Sequence, residues 1–136
     1  TTVATTVSVA LGDVSRGPNS ANSLALVQCR VADGLRREGI RSGDEVAFIG
    51  DSFAAYWARL ARVRIVAEIV PEDADKFWAA DIPARGRIIN AFRHTNATII
   101  VTDHIPAFSS PGEWRQVEHT DYYFLPLRQP SLSARR

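Results

Sequence analysis

Three short apolar runs dominate the middle of the chain: EVAFIG at 45–50, RIVAEIV at 64–70 and ATIIVTD at 97–103. Each has the length of a buried strand and is bounded by Gly, Pro or Asp. Segments of helical periodicity separate them. Parallel strands require such long crossovers, because a tight hairpin joins only antiparallel neighbours. The pattern therefore predicts an open α/β sheet of three parallel strands with flanking helices. WRQVEH at 114–119 and YYFLPL at 122–127 read as an antiparallel hairpin that closes it.

The remaining segments fit around this frame. TTVATTVSVAL at 1–11 is β-branched and reads as an extended segment or edge strand, and GDVSRGPNS at 12–20 as a loop. Ser20, Asn22 or Ser23 would cap a helix running to about Glu38, with Leu24, Val27, Val31 and Leu35 on one stripe and Gly39 as its stop. Phe53, Tyr56, Trp57, Leu60 and Val63 repeat at helical spacing. PEDADKFWAA at 71–80 starts acidic, as suits a helix N-terminus, and a further helix over about 84–94 turns Ile88, Ile89 and Phe92 inward. The domain reading is an N-terminal segment and loop at 1–20, one α/β domain at 21–127, Rossmann-like or flavodoxin-like in arrangement, and a polar tail at 128–136.

Composition narrows the function classes. The 136 residues are 46% hydrophobic and 23% charged, the size and balance of one globular domain. Sixteen basic against fifteen acidic groups leave a net charge of +1, so no field for nucleic acid is expected. A single cysteine, Cys29, excludes an internal disulfide framework and any multi-cysteine metal site. His94, His104 and His119 share no metal-ligand spacing, and no cofactor or metal is implied. No apolar run approaches the roughly 20 residues of a membrane span. The chain begins at Thr1 and contains no Met, which reads as excision from something larger.

In an open α/β sheet, ligands collect beyond the carboxyl ends of the strands, where strand order reverses. With order 2-1-3, Asp51 and Ser52 lie at the tip of the first strand, Glu68 near the end of the second, and Asp103 and His104 at the tip of the third. These five residues form the expected ligand-binding site. A dinucleotide reading has Glu68 at the place of a ribose-binding acid, but only Gly50 remains of a glycine-rich turn, and Asp51 would repel phosphate. The simpler reading is structural: Ser52 caps the following helix and Asp51 complements its dipole. Arg59, Arg62 and Arg64 form a basic cluster, read first as a solvated helix end. Asp103 and His104, adjacent at a strand end, are expected to point apart.

Three resemblances extend this reading. Ala47-Phe48-Ile49-Gly50-Asp51-Ser52 resembles the nucleophile block of the GDS(L), or SGNH, esterase family. That resemblance implies Ser52 as nucleophile with His104 as base and Asp51 as its neighbour at the site, although the family's Asp-x-x-His block is absent. Val31 to Gly50 is similar to the amino-terminal scaffold of acyl-adenylating enzymes, without their phosphate loop. From Val31 to Glu68 the chain resembles an uncharacterised bacterial domain at the carboxyl-terminal end of predicted multi-span membrane proteins. The residues that carry it are Arg41-Ser42-Gly43-Asp44-Glu45-Val46-Ala47 and Ala55-Tyr56-Trp57-Ala58-Arg59-Leu60-Ala61-Arg62-Val63-Arg64-Ile65-Val66-Ala67-Glu68, with Phe77-Trp78 and Asp121-Tyr122-Tyr123. This last resemblance implies a soluble accessory or interaction domain whose partner is the membrane portion of its own chain. On that reading the surface around Tyr56-Trp57 and the arginines docks. The alternatives are an esterase-like hydrolase and a nucleotide- or sugar-binding module at the strand ends.

Overall fold

A computed structural model describes residues 16–128, and their side chains from Leu24 onward. The extended segment expected at 1–11 and the tail beyond Arg128 lie outside the described residues. The elements are α1 (Arg16–Arg37), β1 (Glu45–Ile49), a 3₁₀ turn (Ser52–Ala54), α2 (Tyr56–Ala61), β2 (Arg64–Ile69), α3 (Pro71–Ala79), α4 (Ile82–Arg93), β3 (Ile99–Thr102), β4 (Arg115–Gln116) and β5 (Tyr123–Pro126). They form one five-stranded sheet in the order β2-β1-β3-β5-β4. β1 pairs in parallel with both β2 and β3, while β5 pairs antiparallel with β3 and β4.

Successive strand residues point to opposite faces, and the two faces carry separate cores. Phe48, Val101 and Phe124 pack with Val31, Leu35 and Trp57 under α1 and α2. Ile49, Ile100 and Leu125 pack with Phe77, Trp78 and Phe92 from α3 and α4, together with Trp114. The central strands β1 and β3 are therefore covered on both sides. β2, at the sheet edge, alternates between exposed and half-buried residues.

Helix ends follow local chemistry. At the end of α1, Gly39 takes φ +106°, Gly39 N–H bonds Arg36 O at 3.0 Å and Ile40 N–H bonds Leu35 O at 3.0 Å. This is a Schellman closure, with the accompanying apolar contact between Ile40 and Leu35. Asp81 caps α4 by accepting from Ala84 N–H at 2.9 Å, with Pro83 in the first turn, where no N–H is needed.

Two expectations need correction. Residues 16–20 belong to α1, not to a loop, so Ser20, Asn22 and Ser23 lie inside the helix and do not cap it. Pro18 is compatible with this start because a first turn tolerates a missing N–H. The helix around Trp57 is also shorter than its spacing predicts. Only Trp57 and Val63 of the five-residue stripe are buried, whereas Phe53, Tyr56 and Leu60 face solvent. α2 is six residues long and preceded by the separate turn at 52–54, so the repeat does not stay on one face.

α1 lies so close to the hairpin that Gly34 is required there. A Cβ on Gly34 would stand 2.7 Å from Val117 Cγ1 and 2.8 Å from Glu118 Cγ. Val117 is buried in the core and has little room to move. Gly34→Ala is therefore expected to lower stability by about 1–3 kcal/mol, despite the roughly 1 kcal/mol that alanine gains inside a helix. Urea unfolding measures it, and a raised midpoint would show that the hairpin yields.

Candidate functional site

The strand ends are tied together before any polar side chain is placed on them. Thr102, fully buried, donates its hydroxyl between Ile49 O at 3.2 Å and His104 O at 3.0 Å. Gly50 N–H bonds Ile69 O at 3.0 Å. These bonds hold the tips of β1, β2 and β3 in a fixed relation. Gly50 is buried at φ +145°, and a Cβ there would meet Asp103 Oδ2 at 2.8 Å and Phe48 Cζ at 3.0 Å. The glycine lets the Asp103 carboxylate fold over the end of β1.

The five expected residues separate into two groups. Asp103 and His104 form one, with Asp103 Oδ1 3.2 Å from His104 Nδ1. The expectation that these neighbours point apart is thus overturned: the chain leaves the strand at Asp103, and outside a pleat consecutive side chains are free to meet. Ser52 and Glu68 form the other, on the wall of a groove of about 500 Å³ between α2 and β2. Asp51 belongs to neither, is exposed and accepts from Phe53 N–H at 3.1 Å. Asp51, not Ser52, is therefore the cap, because the short turn begins at Ser52, one residue earlier than a helix starting at Phe53 would. Among the described residues no hydrogen bond joins Ser52 to His104.

Gln28 and Tyr122 complete the Asp103 side. Gln28 Nε2 donates to Tyr122 Oη at 3.0 Å, and Gln28 Oε1 accepts from Trp57 N–H at 2.8 Å. One amide thus joins α1, the start of α2 and the hairpin. Its signal was present in the sequence, since Gln28 stands among Leu24, Val27 and Val31 on the stripe expected to be apolar. Burial raises the Tyr122 phenol above its ordinary value of 10.0; the Gln28 hydrogen bond opposes this and the nearby Asp103 charge adds to it.

A phenol whose folded value is raised contributes stability that is complete below the unfolded value near 10 and is lost as pH rises through the folded value. Stability is accordingly expected to fall above about pH 10. Tyr122→Phe should flatten that fall and cost about 1 kcal/mol at neutral pH through the bond lost to Gln28. Urea midpoints at pH 7 and in the alkaline range test this, and an unchanged alkaline slope in the variant would refute it.

The remaining expected features disperse. Trp57 is fully buried and leaves the docking surface once expected around it. Arg64 pairs with Glu45 at 2.7 Å, Arg59 stacks over the Tyr56 ring at 5.8 Å, and Arg62 ends α2 in a left-handed conformation. The arginines thus take separate local roles and do not converge on an anion. His94 Nδ1 lies 2.8 Å from Asn90 O at the end of α4. Among the described residues no cluster of His, Cys, Asp or Glu could hold a metal ion. No described helix is long and apolar enough to cross a membrane. Comparison with known protein families, characterised proteins and solved structures returns no match.

Proposed function

We propose that this chain is an accessory or interaction domain of a larger, membrane-anchored bacterial protein, and that it docks through the end of the sheet where α1 projects. One observation carries the reading: large apolar side chains stand in solvent at that end. Phe53 is 101% exposed, Leu24 66% and Tyr56 61%. Leu24 lies one turn before Gln28 on the same helix face, and Gln28 binds the start of α2. The patch therefore gathers around that contact. A helix of 22 residues is about 33 Å long, whereas the five residues of β1 span about 17 Å. That difference in length supports an N-terminal half of α1 that projects beyond the strand tips. Isolated exposed apolar residues are ordinary, but a cluster marks an interaction site. The β2-β1-β3 order fits a minimal Rossmann-like or flavodoxin-like arrangement.

Two measurements on the native protein test this. An antibody against the domain should detect a membrane-fraction product larger than 15.0 kDa; a 15 kDa product in the soluble fraction would overturn the reading. A photo-crosslinking residue at Phe53 should join the domain to another segment of the same protein.

A hydrolytic reading has one observation in its favour, the orientation of His104 by Asp103, as a base is oriented in a triad. It also requires Ser52 to meet the other ring nitrogen, and Ser52 lines the groove beside β2. Short-chain p-nitrophenyl esters decide it. Equal rates for the wild type and Ser52→Ala exclude Ser52 as nucleophile. Thermal shifts with NAD, ATP and sugar nucleotides test the nucleotide- or sugar-binding alternative.

A further inference from the structure

We propose that the groove between α2 and the outer edge of β2 accepts an extended peptide strand from a partner, which adds to the sheet beside β2. This gives the interaction domain proposed above a chemically defined partner site that borders the exposed patch at Phe53. It rests on that reading only in that the domain has a partner.

The argument begins with the backbone. β2 is one of the two terminal strands of the sheet, with β4 of only two residues at the other end, and pairs with β1 alone among the described residues. Its other edge presents peptide N–H and C=O groups that a polypeptide strand satisfies in register and that a lipid or a nucleotide does not. The groove runs along this edge: Ile65, Val66, Ala67 and Glu68 line one side, and Ala58 and Arg59 of α2 the other. A channel bounded by a strand edge and a helix is the setting in which added strands are bound, with alternate side chains entering the channel.

The edge also lacks most of the usual protections against pairing. β2 contains no Pro and no Lys, and Val66 and Val70 are exposed. Its one irregularity is a register shift against β1, with Val66 as the extra residue between Val46↔Ile65 and Ala47↔Ala67. A bulge of this kind twists the strand and discourages long sheet-to-sheet growth. It confines pairing to the short stretch after Val66, which suits one short peptide.

Charge defines the occupant further. Arg59 and Glu68 are both exposed on the groove, and neither has an ion-pair partner among the described residues. One stands on the helix wall and the other on the strand. The complementary peptide carries apolar residues at alternate positions, an acidic residue for Arg59 and a basic one for Glu68.

The test is selection of linear dodecapeptides from a random displayed library on the intact chain, followed by binding of the selected peptides to surface variants. Selected peptides are expected to alternate apolar and polar residues. On binding they should slow amide hydrogen exchange in 65–70 by about tenfold or more, with 99–102 unchanged. Val66→Lys, which places a charge on the edge without disturbing the core, should weaken binding at least about tenfold. The pair Arg59→Glu with Glu68→Arg should prefer peptides with their charges exchanged. The proposal fails if no peptide is enriched, or if Val66→Lys binds as well as the wild type. It fails equally if protection appears around Leu24 and not in 65–70, a result that would leave the interaction-domain reading intact. A 15 kDa product in the soluble fraction with the peptide result intact would reject that reading and keep the groove.

Discussion

Trp57→Ala is expected to destabilise the domain by about 3–5 kcal/mol, the largest effect of any single substitution considered. Trp57 has no exposed surface and meets the Phe48 ring edge-on, with centroids 5.4 Å apart. Its truncation opens a cavity where α1, α2 and the sheet meet, and the surrounding backbone is held by Gln28 and cannot collapse freely. A domain with a total stability of about 5–15 kcal/mol loses a large share of it. Trp57→Phe separates packing from polarity. The indole Nε1 is buried without a hydrogen-bond partner, so removing it offsets part of the lost volume. The loss for Phe should then be nearer about 1 kcal/mol. Urea unfolding of the three proteins measures both values. Similar losses for Ala and Phe would show that the indole nitrogen, not the ring volume, matters at this position.

Gly50→Ala is the second large effect, with an expected cost of about 3 kcal/mol. Two independent causes act at this position. The conformation at φ +145° is one that L-residues rarely adopt. The added methyl would also press on Asp103 Oδ2 at 2.8 Å and on the buried Phe48 ring at 3.0 Å. Asp103 is half-exposed and is the group that yields, which moves it away from His104 Nδ1. A loss of stability accompanied by changed His104 ring chemical shifts in NMR is therefore expected. Instability with an unaltered His104 would place the strain in Phe48 instead. The substitution also probes the hydrolytic reading, because a base that depends on Asp103 would lose its orientation.

Much of the fold was legible in the chain. The runs at 45–50, 64–70 and 97–103 each contain a strand, because an apolar run too short for a helix and bounded by breakers has few alternatives. Gly39 and Pro83 stood where helix ends need them. The failures came where periodicity was read as burial. Phe53, Tyr56 and Leu60 match a helical repeat, but a six-residue helix presents only part of it to the sheet. Leu24 continues the stripe of Val31 and Leu35, yet it is exposed while they are fully buried.

The candidate site shows the same division. Its five residues were selected for their place at strand ends, a property of sequence order in an α/β chain. Their grouping was not legible. Ser52 and Glu68 both line a groove, while Asp103 turns back on His104, because the direction of a side chain beyond a strand end depends on the loop backbone and its neighbours. By itself, then, the sequence determined where strands, crossovers and chain reversals fall, since local sterics and hydrophobic period act over a few residues. Only the tertiary structure decided which apolar residues remain in solvent, which strands form the sheet edges among the described residues and which polar groups meet. Those outcomes depend on the relative lengths and positions of elements far apart in the chain.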